Sequence, residues 1–238
     1  MIALVGAMEE EIAHLRAEIQ NPKLVSCGSF DVIQGTWHHH EVVLMQSGVG
    51  KVYAAIRLVE LIDTLHPKVI INIGTAGGLH PDVQPLDVIL PTGIVYHDVD
   101  ITGFSSNYSY GQVAGGAPRV FRPDARLVAA VESLPGQEHL LQGIMLSGDS
   151  FISNRAKMEL IVGQHFAKDF PIAVDMESGA IAQTCYYYGL PFLVLRAVSD
   201  KVGSENQHMS FTTFVRESSK KSTALLGLLL QQLPVDFK

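Results

Sequence analysis

Cysteine is scarce in this 238-residue chain. The two that occur, Cys27 and Cys185, have no CxxC spacing, so a disulfide framework is excluded and reduced thiols in a cytosolic protein are expected. Basic charge is scarce too. Seventeen Lys and Arg against 24 Asp and Glu leave a net charge of -7, with a sequence pI near 5.8. That balance argues against nucleic acid or an anionic membrane as the partner. Long hydrophobic runs are missing: the longest toward the C-terminus, Ala224 to Leu230, is far too short to span a bilayer. The N-terminus lacks the basic region and long apolar stretch of a signal peptide. A soluble, cytoplasmic protein is the expectation. No HExxH, Ser-His-Asp order, GxGxxG or P-loop lysine pattern is present, which disfavours zinc proteolysis, triad hydrolysis and nucleotide phosphate binding.

What the chain does have is apolar content, at 47%, ample for a buried core. Strand-length apolar runs alternate with helical patterns. Strands are expected over Ile2–Val5, Phe30–Gln34, Glu41–Gln46, Val69–Ile73, Asp87–Pro91, Gln142–Leu146, Ile172–Val174 and Phe192–Val198. Several are continuous Val/Ile/Leu runs, the mark of strands covered on both faces. Helices are expected over Glu9–Ile19, Lys51–Leu65, Pro123–Ser133, Asn154–Phe166, Ser178–Tyr188 and Ser210–Gln232, with Gly189 as a stop. Gly35 to His40 reads as a hairpin connection whose three histidines form a solvated bend, and Gly103–Pro118 as one long irregular loop. The expected fold is a single α/β domain over residues 1–238 with a mixed sheet.

Carboxylates gather where α/β proteins place ligands, at the ends of strands. The first strand runs through Gly6-Ala7-Met8 into Glu9-Glu10-Glu11. A phosphate there would meet about 4 kcal/mol of repulsion per close charge at an effective dielectric of 20. The spot suits a neutral or cationic group, or water. Helix-dipole compensation accounts for Glu9 and Glu10. Glu11 shares a face with Met8 and Leu15 and borders the apolar stripe. Ala173-Val174-Asp175-Met176-Glu177-Ser178 repeats the arrangement, with Ser178 a candidate helix cap. In Leu193 to Asp200 an arginine and an aspartate interrupt an otherwise buried strand, and alternation puts Arg196, Val198 and Asp200 on one face. A structural ion pair would explain the charges as well as a site does. Asn72-Ile73-Gly74-Thr75-Ala76-Gly77-Gly78 is either a plain turn or a place where a ligand nears the backbone. His97-Asp98-Val99-Asp100 is a poor metal candidate, because alternation splits His97 from the two aspartates.

Taken in order, Gly6 to Glu11, Ser47-Gly48-Val49-Gly50-Lys51, Asn72 to Gly78, Tyr96-His97-Asp98, Ser147-Gly148-Asp149-Ser150-Phe151-Ile152, Met176-Glu177 and Arg196 to Asp200 carry a resemblance. The chain strongly resembles, over nearly its whole length, the bacterial 5′-methylthioadenosine/S-adenosylhomocysteine nucleosidases of the purine nucleoside phosphorylase superfamily. The resemblance implies a three-layer α/β/α fold with a central mixed sheet and a homodimer. It also implies hydrolysis of the adenine–ribose bond of thioether nucleosides, without metal or cofactor, as in methionine salvage. Glu11 then looks like the base that activates water and Asp200 like the acid that protonates adenine N7. Glu177 and the backbone of Met176 would hold the ribose, and Arg196 and Thr75 would surround Glu11 and the water. Phe151 would stack on the base while the backbone of Ile152 reads its edge, with Gly77 and Ser199 also in the substrate-binding set. Met8, Val49 and Phe211 would line the alkylthio pocket, and Phe104 would reach into the partner's site.

Two positions depart from the family's usual pattern. Thr75 stands in place of serine and keeps the hydroxyl; Asp175 stands in place of glutamate and bears on the ribose side and on substrate preference. The Ser105–Ser109 loop is longer than usual. A nucleoside phosphorylase on the same fold is the runner-up, but it needs an anion site that Glu9 to Glu11 and Asn72 do not provide. Hydrolysis of aminodeoxyfutalosine is a second enzymatic alternative, and a nucleoside-binding storage or sensor protein a non-enzymatic one. The chemistry favours a nucleosidase, since a raised-pKa acid and an ionised base are each typically worth about 10²–10⁴-fold.

Overall fold

Strict parity in the inner strands builds the two halves of the core. In the computed structural model, which describes residues 1–136, 139–204, 207–235 and 237 apart from the side chains of 207–213, Ile2–Gly6 (β1) is buried along its whole length. Ala3 and Val5 of β1 enter one apolar cluster while Ile2 and Leu4 enter the other. Val194 and Val198 are likewise separated from Leu193 and Leu195 on Phe192–Lys201 (β9). A strand with both faces covered needs apolar side chains at every position, which is why these runs do not alternate with polar residues.

The other strands are Gln20–Cys27 (β2), Phe30–Trp37 (β3), His40–Gln46 (β4), Val69–Gly78 (β5), Val88–Tyr96 (β6), Leu140–Ser147 (β7) and Pro171–Asp175 (β8). The helices are Glu9–Glu18 (α1), Lys51–Leu65 (α2), Ala125–Glu132 (α3), Arg155–Ile161 (α4), Ser178–Tyr188 (α5) and Gln207–Gln232 (α6). One mixed sheet runs β2-β3-β4-β1-β5-β8-β7-β6-β9. Strand β9 also pairs in parallel with β5, so β5, β8, β7, β6 and β9 close into a ring. Leu58 of α2 and Ile181 of α5 belong to one core, and Leu15, Leu127 and Leu226 of α1, α3 and α6 to the other. Helices therefore flank a central mixed sheet on both faces, as expected.

Four local features depart from the sequence pattern. Strand β2 escapes the sequence pattern because it is an edge strand, exposed over most of its length and interrupted by Pro22, so no apolar alternation is required. The histidine bend shrinks to a tight turn at His38 and His39, with His38 at φ 52°. His40 belongs to β4 and is buried, its Nε2 2.9 Å from the Leu230 carbonyl. The glycine segment after Ile73 is neither turn nor loop: β5 continues through Gly78. Finally, α4 continues as a π-helical turn over Val162–Phe166. Asn154 does cap α4, and Gly189 ends α5 at φ 64°.

Candidate active site

Glu11 is held by its own helix start and by a neighbouring strand. At the third position of α1 its Oε2 accepts the backbone N–H groups of Ala7 at 2.9 Å and Met8 at 3.1 Å. Its Oε1 accepts the Thr75 amide of β5 at 2.8 Å and the Thr75 hydroxyl at 3.0 Å. Four donors converge on a side chain only 3% exposed. An ionised carboxylate is acceptor-only and satisfies all four at once.

Arg196 lies fully buried on β9. Its Nε donates to Asp175 Oδ2 at 2.8 Å, and one terminal nitrogen donates to Asn72 Oδ1 at 2.8 Å while standing 3.7 Å from Glu177. Burial opposes this charge, but Asp175, Glu177 and Glu11 outweigh it and raise the guanidinium above its ordinary pKa. The other terminal nitrogen has no hydrogen-bond partner among the described residues. It faces the strand at Gly74, where an added Cβ would collide with the guanidinium and lie 2.8 Å from Glu11 Oε1. Glycine at 74 is therefore what lets Arg196 and Glu11 share one space. Asn72, read from the sequence only as a neutral strand end, proves to be a clamp: its Nδ2 donates to the Val5 carbonyl at 2.9 Å and ties β1 to Arg196. A buried polar residue inside an apolar run was the available signal.

Asp175 is committed to structure. Besides Arg196 it accepts the Ser178 hydroxyl at 2.8 Å and the Ser178 amide at 3.1 Å. Ser178 thus does not cap α5, whose N-cap is Glu177. Glu177 Oε1 accepts the Gly50 amide at 3.0 Å. Burial pushes the Glu177 carboxyl up to about 8, against the pull of Arg196 and with the help of Asp175 and Glu11.

All these strand ends open on a cavity of about 280 Å³. Glu11, Thr75, Gly77, Asp175, Glu177 and Asp200 line it, with Met8, Val49, Phe151, Ile152, Met176 and Ser199. Among the described residues lining it there is no lysine, arginine or histidine. Asp200 is buried and accepts the Ser199 hydroxyl at 2.6 Å. The register against β5 jumps from Ala76↔Val198 to Gly77↔Asp200, a bulge that breaks the expected alternation and lets both Ser199 and Asp200 face the cavity. Arg196 lies beneath this wall and does not line it.

The phosphorylase superfamily model matches residues 1–231. A 5′-methylthioadenosine/S-adenosylhomocysteine nucleosidase from Neisseria meningitidis, solved with methylthio-immucillin-A, is 36% identical at a TM-score of 0.89, over 98% of this chain and 99% of that one. The S. pneumoniae nucleosidase, solved with a transition-state inhibitor, is 35% identical at 0.91 over 98% and 99%. The chain belongs to the methylthioadenosine/S-adenosylhomocysteine nucleosidase family. It is a nucleosidase, and its reaction is hydrolysis of a nucleoside N-glycosidic bond. A futalosine hydrolase of Helicobacter pylori is also similar, at 27% identity and a TM-score of 0.88 over 98% and 97% of the two chains.

Of the remaining expected positions of this nucleosidase, one stands away from the cavity and one falls outside the described side chains. Phe104 stands 86% exposed on the loop after β6 and does not line this cavity. Phe211 lies within α6, but its side chain is outside the described residues. Of the weak metal candidate, His97 is buried, Asp98 pairs with Lys51 and Asp100 accepts from Thr102.

Gly74→Ala should displace the guanidinium and lower nucleosidase turnover by at least about 10²-fold, since small misplacements at a reacting centre cost that much. Turnover compared with thermal melting checks it, and an active, stable variant would show that Arg196 has room to move. Glu177 sets a pH dependence whose sign is fixed. Its pKa is raised from 4.5 to about 8 on folding, so the stability it contributes is full below about 4.5 and is lost as pH climbs through 8. Relative to Glu177→Gln, the wild type should lose denaturant resistance across that window; parallel curves for the two proteins would contradict the assignment.

Proposed function

We propose that the chain hydrolyses the adenine–ribose bond of 5′-methylthioadenosine and S-adenosylhomocysteine, releasing adenine and the thioribose. The carrying observation is that Glu11 and Asp200 line one cavity whose described wall is rich in carboxylates and carries no cation. That wall repels phosphate and favours water attacking a sugar with developing positive charge. Glu11 takes the proton of the attacking water as its oxygen bonds to the anomeric carbon. The carbon–N9 bond breaks and its electrons move into the purine, where Asp200 delivers a proton to N7. Adenine thus leaves neutral. Thr75 holds the Glu11 carboxylate, Arg196 acts on it electrostatically from beneath the wall, and Glu177 with the Met176 backbone takes the ribose hydroxyls. Phe151 and Ile152 sit at the purine end, with Met8 and Val49 on the alkylthio side. The bound ligand of the Neisseria meningitidis relative supports the methylthio substituent.

The working form we infer is a homodimer. Val52, Tyr53 and Ile56 on α2 are exposed, as are Tyr186, Tyr187 and Tyr188 on α5, and α2 packs beside α5. Phe104 is exposed as well, and apolar and aromatic side chains of this kind are those found at interface cores.

Purified protein given methylthioadenosine should release adenine and free methylthioribose at a rate indifferent to phosphate. A sugar 1-phosphate made only with phosphate would establish a phosphorylase, and turnover of a futalosine alone would reassign the substrate. Glu11→Gln and Asp200→Asn should each reduce turnover by at least about 10²-fold in folded protein. Near-normal rates in either would remove that residue from its role. Light scattering at micromolar concentration should give a dimer, and Phe104→Ala should weaken alkylthio substrate binding more than it lowers melting temperature. A fully active monomer would sink the shared site.

A further inference from the structure

Three residues within the sequence motifs take no part in the chemistry proposed above: Lys51 at the start of α2, Asp98 after β6 and Asp149 after β7. They meet at one point. Lys51 Nζ lies 2.8 Å from Asp98 Oδ2 and 3.8 Å from Asp149 Oδ2. Asp98 Oδ2 also accepts the Asp149 amide at 2.8 Å, and Asp149 Oδ1 accepts the Lys51 amide at 2.7 Å. Two like charges are thus held together by one ammonium and two backbone amides. Burial alone would raise the Asp98 pKa, but the Lys51 and Asp149 hydrogen bonds leave it below its ordinary value.

Each arm of this knot continues into the cavity wall. Gly50, which donates to Glu177, directly precedes Lys51, and Val49 precedes Gly50. Phe151 and Ile152 follow Asp149 by two and three residues. Asp98 opens the loop that carries Phe104. The packing under the knot is tight: a Cβ on Gly148 would lie 2.6 Å from His97 Nε2 and 2.7 Å from Asp98 Cγ. None of these hydrogen bonds and ion pairs involves Glu11 or Asp200.

We propose that Asp98 is a positioning residue for nucleoside binding, locking through Lys51 the loops that carry Val49, Phe151 with Ile152, and Phe104 into one register. Without the lock the binding-competent arrangement is only fractionally populated, and apparent affinity falls by that fraction. The glycosidic step, carried by other elements, keeps its rate once the ligand is bound. The kinetic form of this inference rests on the nucleosidase reading; its binding form does not.

The test uses the full chain with Asp98→Asn, Lys51→Met, their combination and Lys51→Arg. It reads kcat and KM on methylthioadenosine, adenine affinity by calorimetry, and melting temperature. Asp98→Asn and Lys51→Met should each raise KM and the adenine Kd about tenfold and leave kcat within about threefold, an affinity change without a rate change. The double variant should be no worse than either single one, because the residues act as a unit. Lys51→Arg should restore most of the affinity. Unchanged KM and adenine Kd in a folded variant would overturn the proposal, as would a fall in kcat at constant KM, or additive losses. Should Asp98→Asn fail to fold, Lys51→Met decides alone. A wild type that binds adenine but does not cleave methylthioadenosine refutes the substrate reading, and the adenine arm still judges the lock. A wild type that binds no adenine overturns the lock as stated.

Discussion

A guanidinium sealed from water is the constraint around which the centre of this molecule is arranged. A buried charge is tolerated only when it is paired, and removing one partner of such a pair typically costs about 3–5 kcal/mol. Arg196 meets that demand with Asp175 on one side and Asn72 on the other. Asn72 in turn ties β1 to the pair, and Asp175 ties in the start of α5 through Ser178. Four strands and a helix are thereby joined around one cation. Gly74 follows from the same demand, since any side chain there would occupy the guanidinium's place.

That arrangement also shapes the electrostatics of the cavity. Arg196 stabilises the surrounding carboxylates from beneath while presenting no cation to the open space. The interior can thus hold several acidic side chains close together without attracting an anionic ligand. Glu177 shows how finely this is balanced: burial and two neighbouring carboxylates push its proton affinity up against the pull of Arg196. A wall of this kind suits a reaction whose sugar gains positive charge while the departing base gains a proton, and it makes water a better nucleophile there than phosphate.

Much of the site is legible in the sequence. Glu11, Glu177 and Asp200 stand at strand ends, and in an α/β sheet such ends share a rim. Carboxylates interrupting apolar runs are therefore visible as candidates before any contact is known. Edge strand β2 is not legible, because an exposed edge obeys no apolar pattern. The glycine tail of β5 misleads for the opposite reason: its glycines answer to Arg196, Val202 and Val83 pressing from elsewhere in the chain, a demand that local propensity does not encode.

By itself the sequence determined the alternation of strands and helices, the acid-rich strand ends and the family, because these depend on local periodicity and on motifs read in order. Tertiary structure alone decided which partners each carboxylate takes. Asp175 and Glu177 are two residues apart, yet one is spent on Arg196 and the start of α5 while the other accepts from Gly50, 127 positions away. The same holds at the end of β9, where a register jump against β5 turns Ser199 and Asp200 together toward the cavity. Side-chain direction after a bulge, and the choice among partners for a buried charge, depend on distant strands meeting. No spacing along the chain contains that information.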